Sequence, residues 1–565
     1  GGEDHGRQRR MRVEGIGMPA RPEDAWRHRP RHALHRRGHP GANASLAAVS
    51  VAGSSASVAV ADAPWLSLVC QSLAGQQTEL ALLLFSILLC LVAWLFATRR
   101  QSEPPGLALA GLAPAVTPAE LTAYRRLRNR YLLAYSLATF GDWIQGGYLY
   151  ALYAQHGYSM RHIALLFVVG YASAATAGTY SSAVGDVGGH RRNCVAYGLI
   201  YSVSCLLANS PDVGALVVSR LLGGVAYSIL FTSFESWLVA DAEASGLPPS
   251  LLTSLFATSA TVYASSAVAA GISGHACVVL MGSTRADAAL TAPFNLAVPA
   301  MLVASALCQW TWDERYGDRG SSASASLRRS CRAVAASRTL LCLGLVNAMY
   351  ETALYVFVFM WTPSLEARSV GHIPHGLVFS AFMLSKMAGA QLFAALADAI
   401  SPAACLGFVF GGSALCMTVP IFSDSYEAVL LSFTLFEGLL GIYWPAIALL
   451  RVDEISDAER ASTMAVFRML LNALVIAVLL AAGRMPEPAV YAVAATMLLI
   501  CLGASRVLAR PSDARAGARR ARELLPIIPA ESGEAAKEGT STETLPDEVG
   551  RSKADGLLQR GALPS

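Results

Sequence analysis

Seven ionisable residues lie inside long apolar segments of this chain, where a charge has no water to solvate it. The stretch 213–240 is long enough to cross a bilayer and yet carries Arg220 and Glu235. A charged side chain at the bilayer centre costs about 2.5–3.5 kcal/mol on insertion scales, so such residues are expected to be functional. The full set is Asp142, Arg220, Glu235, Glu351, Lys386, Glu437 and Arg468.

The basic members of this set are candidates for binding an anion. A guanidinium donates hydrogen bonds in a planar fork that suits a tetrahedral oxyanion, which assigns Arg220 and Arg468 to substrate binding. Lys386 lies in mid-span, whereas Lys537 and Lys553, the other lysines, lie in the C-terminal tail. We therefore add Lys386 to the candidate substrate site. The alternative is that these charges pair with the acids to satisfy helix packing.

The acidic members are candidates for carrying protons. Asp142 is the twelfth residue of one predicted span and Glu351 the thirteenth of another, so the two acids are expected at matching depth. Transporters built from repeats hold substrate and coupling ions near the midplane. Glu235 and Glu437 end the related motifs FTSFE and FTLFE, which suggests that the chain contains two copies of one unit. Because Glu235 lies near the end of its span, a gate or loop contact is an alternative role.

Three aromatic residues near these charges are candidates for lining a substrate path. They are Trp143, Tyr148 and Trp361. Aromatic side chains also collect at both membrane–water interfaces, and that explanation is the commoner one.

Composition places the chain among polytopic membrane proteins. Its 565 residues are 54% hydrophobic and only 15% charged, with a mean hydropathy of +0.45. A net charge of +4 does not favour nucleic-acid binding. The eleven cysteines include no CxxC pair, and no nucleotide-binding loop or nucleophile elbow is present. We expect neither an enzyme nor a cofactor, and an ion gradient is the expected energy source.

Thirteen apolar segments of about 20 residues predict an all-α membrane protein. The first, within 79–98, is an additional N-terminal transmembrane helix. A repeat of six helices at 131–312, a polar connector at 313–338 and a second repeat of six helices at 339–508 follow. The expected core spans are 131–154, 162–184, 193–210, 213–240, 251–275, 292–312, 339–361, 375–398, 402–423, 427–450, 463–483 and 488–508.

Loop charge predicts the orientation and the character of the two ends. Most loop arginines, Arg451 and Arg460 among them, fall on one side of the predicted spans, and the positive-inside rule makes that side cytoplasmic. The Arg-, His- and Ser-rich residues 1–78 are then extracytoplasmic and are expected to be disordered or a targeting extension. Residues 509–565 are expected to form a disordered cytoplasmic tail. A plasma membrane protein is expected, and an organelle membrane is the alternative.

The loop between the second and third core spans carries a recognisable pattern. It reads GDVGGHRR at 185–192, with Asp186, a glycine at Gly189 and the basic pair Arg191 and Arg192. The loop resembles the signature gating loop of the major facilitator superfamily. The alternative is an ordinary turn with cytoplasmic positive charge. The corresponding loop of the second half keeps only LAD at 396–398.

Several longer runs resemble one branch of that superfamily, the molybdate-anion transporter family. The runs are DWIQGGYLYALY at 142–153, SRLLGGVAYSILFTSFESW at 219–237, YETALYVFVFMWTP at 350–363, GIYWPAIALLR at 441–451 and VFRMLLNAL at 466–474. The resemblance covers most of the core and implies the facilitator fold and uptake of molybdate across the plasma membrane. Two positions depart from the pattern: His190 stands where a basic residue is usual, and Lys386 lies outside the matching runs.

Charge arithmetic adds an expectation about coupling. Moving a dianion inward against 100 mV, inside negative, costs roughly 4.6 kcal/mol at about 2.3 kcal/mol per charge. Two accompanying protons would cancel the charge, and a third would make the voltage favourable. We therefore expect proton-coupled import by alternating access. The alternatives are a transporter of another anion or of a sugar, and a receptor or scaffold that kept the fold without transport.

Overall fold

The computed structural model describes residues 76–100, 117–316, 323–397, 399–455 and 457–509. Most of the expected N-terminal extension, the tail from residue 510 and Asp398 of the second loop pattern lie outside the described residues. All regular secondary structure within these ranges is helical, as the apolar segments predict.

The described residues of the first part of the chain form nine α-helices and one short 3₁₀ turn. Their bounds are α1 Gln77–Arg100, α2 Pro118–Gly146, α3 Leu149–Gln155, α4 Met160–Gly188, α5 His190–Ala208, α6 Val213–Leu230, α7 Ser233–Ala244, α8 Pro249–Gly282, the 3₁₀ turn Ala286–Thr291 and α9 Ala292–Thr311.

The second part forms seven α-helices within the described ranges. Their bounds are α10 Ala323–Ala336, α11 Arg338–Glu366, α12 His375–Leu396, α13 Pro402–Phe422, α14 Tyr426–Glu454, α15 Asp457–Ala482 and α16 Glu487–Leu508.

Helix starts coincide with local capping signals. Thr117 and Glu120 form a capping box at the start of α2, with Pro118 at the first helical position. The Asp212 carboxylate accepts a hydrogen bond of 2.9 Å from the Ala215 backbone N–H at the start of α6. These caps satisfy backbone donors that have no partner inside the helix, and they fix where the turns between spans end.

Eleven helical segments within the described residues are long and apolar enough to cross a membrane, against thirteen predicted from the sequence. The two that fall short cover the expected spans 131–154 and 193–210. Both are helical all the same, as α2 with α3 and as α5. Their hydropathy is lowered by polar and aromatic residues, such as Asp142 and Tyr201, that lie inside the protein rather than in lipid.

The core helices form two groups. In the first group α2, α5 and α9 pack together, and α6 packs on α4 and α5. In the second group α13 packs on α14 and α16, and α11 packs on α15 and α16. The main contacts between the groups join α8 to α12, α4 to α15 and α3 to α11. A site between the groups is therefore framed by helices of both.

Two helices lie outside this pattern. Helix α1 packs along α12 through Leu83, Leu377 and Ala381, and its Glu79 carboxylate accepts a 2.6 Å hydrogen bond from the Tyr426 hydroxyl. Helix α10 lies within the expected connector and packs on α15. The connector is therefore partly structured, which its polar composition did not reveal.

The halves touch at one end of the molecule and separate toward the other. We call the end with the α3–α4 turn and the α11–α12 loop the outer end, following the predicted orientation, and the opposite end the inner end. Near the outer end, the Ser380 hydroxyl donates to the Val268 carbonyl at 3.0 Å, and Phe167 meets Phe359 at 5.5 Å between ring centroids. Tyr227 and Phe231, deeper between the halves, are about two-fifths exposed (42% and 40%).

Candidate functional site

Asp142 lies in the interior of the first half, on α2. Its carboxylate accepts a 2.7 Å hydrogen bond from the Tyr201 hydroxyl of α5, and its nearest cationic neighbour is Arg220 of α6. Asp142 lies thirteen residues before the end of α3 at Gln155, and Glu351 fifteen before the end of α11 at Glu366. At about 1.5 Å per residue, their depths differ by about 3 Å.

The Arg220 side chain packs against α4 at Gly170. A Cβ added at Gly170 would stand 3.2 Å from the Arg220 Nε, so the glycine makes room for the guanidinium. That Nε is buried and has no hydrogen-bond partner among the described residues. The hydroxyls of Tyr153 and Tyr171 are further electrostatic neighbours. A buried donor without a partner is costly, which makes the position suitable for binding an anion.

In the second half Glu351 is paired. The Arg451 guanidinium of α14 donates to its carboxylate at 3.3 Å, and both side chains are largely buried. The sequence placed Arg451 only among the cytoplasmic loop charges. Its long side chain instead extends from the inner part of α14 into the interior of the helix bundle, where it meets Glu351. For Glu351, the interpretation that buried charges pair with one another therefore applies.

Arg468 lies on α15 and is exposed, in contrast to Arg220. It is an electrostatic neighbour of Glu351 within its own half and of Glu235 on α7 in the other half. Glu235 is exposed as well. Neither Arg468 nor Arg220 forms an ion pair with any described residue. An accessible cation facing an acid of the opposite half indicates an open space between the halves toward the inner end.

Aromatic rings bridge the halves above this space. Tyr171 of α4 and Tyr355 of α11 meet edge to face with centroids 4.7 Å apart. Trp143 of α2 contacts Tyr263 at 5.2 Å and Phe379 of α12 at 5.6 Å, and its indole N–H has no hydrogen-bond partner among the described residues. Trp143 therefore lies between the halves, next to Asp142 in the chain, and its predicted role in lining a substrate path stays a prediction.

Lys386 and Glu437 are electrostatic neighbours within the second half. They lie on α12 and α14, which approach closely because Gly389 and Gly441 leave space for the facing backbone. Lys386 is the cationic neighbour of Glu437, whose carboxylate is 4% exposed and keeps one oxygen without a hydrogen bond in the described structure. Neither residue forms a hydrogen bond or ion pair with Arg220 or Arg468 within the described ranges.

The FTSFE and FTLFE motifs do not mark equivalent places in the two repeats. Glu235 lies 22 residues after Val213, at the start of α6, whereas Glu437 lies 11 residues after Tyr426, at the start of α14. The difference of 11 residues is about 16 Å along a helix. The chain is also interrupted at 231–232, between α6 and α7, whereas α14 is continuous. The expected equivalence of the motifs is therefore wrong, because a short motif carries no information about depth.

Tyr148 and Trp361 lie at the outer contact between the halves rather than beside the arginines. Each packs against His375, with centroids 5.9 Å and 6.0 Å from it. Both rings are nearly fully buried. In this structure they close the outer end.

The predicted gating loop docks on the end of α9. Gly189 has φ +106°, and an added Cβ would overlap the Glu314 carboxylate, so only glycine fits there. Glu314 accepts from the Arg191 backbone N–H at 2.9 Å and from its guanidinium at 3.3 Å, and Arg192 lies 3.7 Å away. Asp186 pairs with His190 at 3.4 Å.

A second network of charges stands beside this loop at the inner end. The buried Asp241 carboxylate pairs with Arg130 and, at 2.9 Å, with Arg315. Trp237 and Trp312 stack next to it with centroids 3.8 Å apart. These residues, and Glu314, were missed by sequence reasoning. A signal was available, since Asp241 is an acid at the end of an apolar span that faces arginine-rich loops.

Arg220 therefore lies beside Asp142 in the first half, and Arg468 lies near Glu351 and Glu235, with an aromatic bridge between the halves. Such a site can bind an anion through arginine donors and can hold protons on carboxylates. Of the predicted substrate residues, Arg220 packs inside the first half, Trp143 lies between the halves, and Arg468 faces Glu235 of the opposite half. Lys386, Tyr148 and Trp361 lie elsewhere.

Comparison with known proteins identifies a matching family and several relatives of this chain. A family model described as sugar transporters with 12 transmembrane segments matches residues 109–441. The molybdate-anion transporter of Xenopus tropicalis is 32% identical over 366 residues, covering 62% of this chain and 78% of the relative. That of Takifugu rubripes is 32% identical over 431 residues, covering 70% of this chain and 85% of the relative.

Solved structures share the fold at low identity. A variant of the nucleoside transporter NupG has a TM-score of 0.57 at 11% identity, covering 69% of this chain and all of that one. A D-xylose–proton symporter has a TM-score of 0.54 at 12% identity, covering 67% and 96%. These neighbours establish the facilitator fold, with two six-helix repeats and the additional helix α1 in front. The chain is a multi-pass membrane transporter, and it belongs to the molybdate-anion transporter family of the major facilitator superfamily.

Proposed function

We propose that this transporter imports molybdate across the plasma membrane. The observation that carries the proposal is that Arg220 and Arg468, one from each half, form no ion pair with a described acid although acids lie near both. A tetrahedral dianion between them would supply the missing acceptors. The relatives at 32% identity are named for the same anion.

Proton coupling is the second part of the proposal. Asp142, hydrogen-bonded to Tyr201 beside Arg220, is the first candidate proton carrier. Glu351 is the second, and its exchange of protons would require Arg451 to release it. Glu235 lies at the open inner side, where it could pass protons to the cytoplasm. The Lys386–Glu437 pair would act within the second half, away from the anion.

Alternating access is the third part. The contacts between the halves concentrate toward the outer end, while Glu235 and Arg468 are exposed, which supports assigning this structure to an inward-facing state. Rocking of the halves about the anion would open the outer contact and close the inner one.

A different solute is the second candidate, because the matching family model is described as sugar transporters. Aromatic rings such as Trp143 and Tyr263 are suited to stacking on a sugar. Two arginines without acid partners favour an anion over a neutral sugar, whereas they do not separate molybdate from sulfate. Competition by excess sulfate or xylose during molybdate uptake distinguishes these substrates. A receptor that kept the fold would show no uptake of any of them.

The test is cellular molybdenum content in a molybdate-starved host that expresses the wild type, Asp142→Asn, Arg468→Ala or the exposed control Arg126→Ala. We expect accumulation in the wild type and the control and a loss of at least about tenfold in the two site variants, as for removal of a charged hydrogen-bond partner. Equal accumulation in all four would reject the site, and none above the empty vector would reject the substrate. Uptake that ignores external pH and a protonophore would reject proton coupling.

A further inference from the structure

Each half contributes a buried histidine to the outer contact. His275 lies on α8 of the first half and is 6% exposed, and His375 begins α12 of the second half and is 8% exposed. Each is an electrostatic neighbour of the other. Neither histidine belongs to the anion site described above.

The backbones of the two halves touch between these histidines. A Cβ added at Gly376 would overlap the Gly271 carbonyl and the Tyr148 hydroxyl, and it would stand 2.8 Å from the His275 backbone nitrogen. A charge placed in so close a contact has no room for hydrating water. The ionisation of either imidazole is therefore tied to whether the contact is closed.

The two imidazoles differ in their partners. The His375 Nε2 lies 3.1 Å from the Glu366 carboxylate, so a proton on His375 has a counter-charge. The His275 Nε2 is buried and has no hydrogen-bond partner among the described residues. The other titratable groups near the pair are Tyr148 between α2 and α3 and Cys277 on α8, neither of which supplies a positive or negative charge at neutral pH.

We propose that His275 and His375 form a proton-binding site that controls the outer contact. In the closed state the His375 imidazole lies against the Glu366 carboxylate, and the His275 Nε2 has no partner among the described residues. Protons taken from an acidic exterior onto both imidazoles place two positive charges on opposite halves, and the nearby Glu366 carboxylate contacts only His375 of the two. Like charges across the contact repel, so external acid favours separation of the halves at the outer end. This inference deepens the proposed proton-coupled import and rests on its alternating access.

Opening of the outer end is measurable without molybdate. Ile163, on α4, is 1% exposed and packs in the core cluster shared with the second half, whereas Val370 in the α11–α12 loop is fully exposed. A cysteine at either position is labelled with a membrane-impermeant maleimide in the full chain. Two native cysteines are replaced by serine in this background: Cys277, which lies near the histidines, and Cys70, which lies in the segment expected to be extracytoplasmic. The ratio of the Ile163→Cys rate to the Val370→Cys rate removes the effect of pH on the thiol itself.

We expect this ratio to rise about fivefold from roughly pH 7.5 to roughly pH 5.5, the range in which histidine gains its charge. His275→Gln should abolish the rise, and His275→Arg, permanently charged, should give a high ratio at both pH values. His372→Gln, an exposed histidine of the neighbouring loop, is the matched control and should behave as the wild type.

An unchanged rise in His275→Gln would overturn the inference, as would a ratio in the wild type that does not change with pH. Val370→Cys labelling in the same variants reports whether each chain is folded in the membrane. A pH-dependent ratio without molybdate uptake would reject the proposed substrate and keep the histidine site. Molybdate uptake together with a labelling ratio that does not change with pH would reject the histidine site and keep the proposed substrate.

Discussion

At the scale of single residues, the structure separates arginines that are neutralised from arginines that are not. Arg368 and Arg451 each pair with a glutamate inside the helix bundle, at 2.6 Å and 3.3 Å. Arg220 and Arg468 have no such partner among the described residues. A paired arginine holds helices together, whereas an unpaired one has donors to spare for a ligand.

Arg220→Lys is predicted to weaken molybdate uptake by at least about tenfold, because an ammonium keeps the charge and loses the planar fork of donors. The melting temperature of the purified protein should change little, since no ion pair is lost. Half-saturating molybdate concentration and thermal unfolding are the two measurements. A variant with normal uptake and a much lower melting temperature would make Arg220 a structural residue.

Gly170→Ala tests the position of the same guanidinium without changing its charge. The new Cβ would stand 3.2 Å from the Arg220 Nε and would push the side chain from its place. We expect the half-saturating molybdate concentration to rise about three- to tenfold, the effect of roughly 1 kcal/mol of steric strain. Gly146→Ala is the control, because a Cβ there meets nothing within 4 Å. Equal kinetics for the two alanine variants would contradict the placement of Arg220.

At the scale of elements, the gating loop is held by Glu314, a side chain of the segment that follows α9. Glu314 accepts hydrogen bonds from both the backbone and the guanidinium of Arg191. Glu314→Ala is predicted to destabilise the first half by roughly 1–3 kcal/mol, as for loss of hydrogen bonds to a charged group. Thermal unfolding in detergent checks this, with the exposed Glu243→Ala as a near-neutral control. Indistinguishable melting temperatures would show that the loop does not depend on Glu314.

Helix interruptions were also beyond sequence reasoning. The stretch 213–240 reads as one span, yet the chain turns at Phe231 and Thr232 between α6 and α7. No glycine or proline marks the break. The hydroxyl of Thr232 instead bonds back to the Ser228 carbonyl at 2.8 Å, and such back-bonding bends helices.

At the scale of the whole molecule, hydropathy predicted the helices and the six-plus-six order well, because every span must bury its own backbone polar groups in lipid. Resemblance in several runs predicted the family. Neither hydropathy nor family resemblance shows which face of a helix points into the helix bundle. For that reason Arg451 was read as a loop charge although it pairs with Glu351, and Tyr148 was read as a site residue although it closes the outer end.

Depth within the bilayer was predictable only where whole helices could be aligned. Asp142 and Glu351 match because each was counted along its own span. Glu235 and Glu437 do not, since a five-residue motif was used in place of the helix ends. The position of Lys386 beside Glu437 depends on the close approach of α12 and α14, which a single sequence does not reveal.

Calorimetric titration of the purified chain with molybdate shows whether one oxyanion binds between arginines of opposite halves. We predict one site per chain, with at least about tenfold weaker binding in both Arg220→Gln and Arg468→Gln, since each removes a charge-assisted donor pair. Arg332, whose side chain on α10 is exposed, provides the control, and Arg332→Gln should bind molybdate as the wild type does. Wild-type affinity in either site variant would contradict the account.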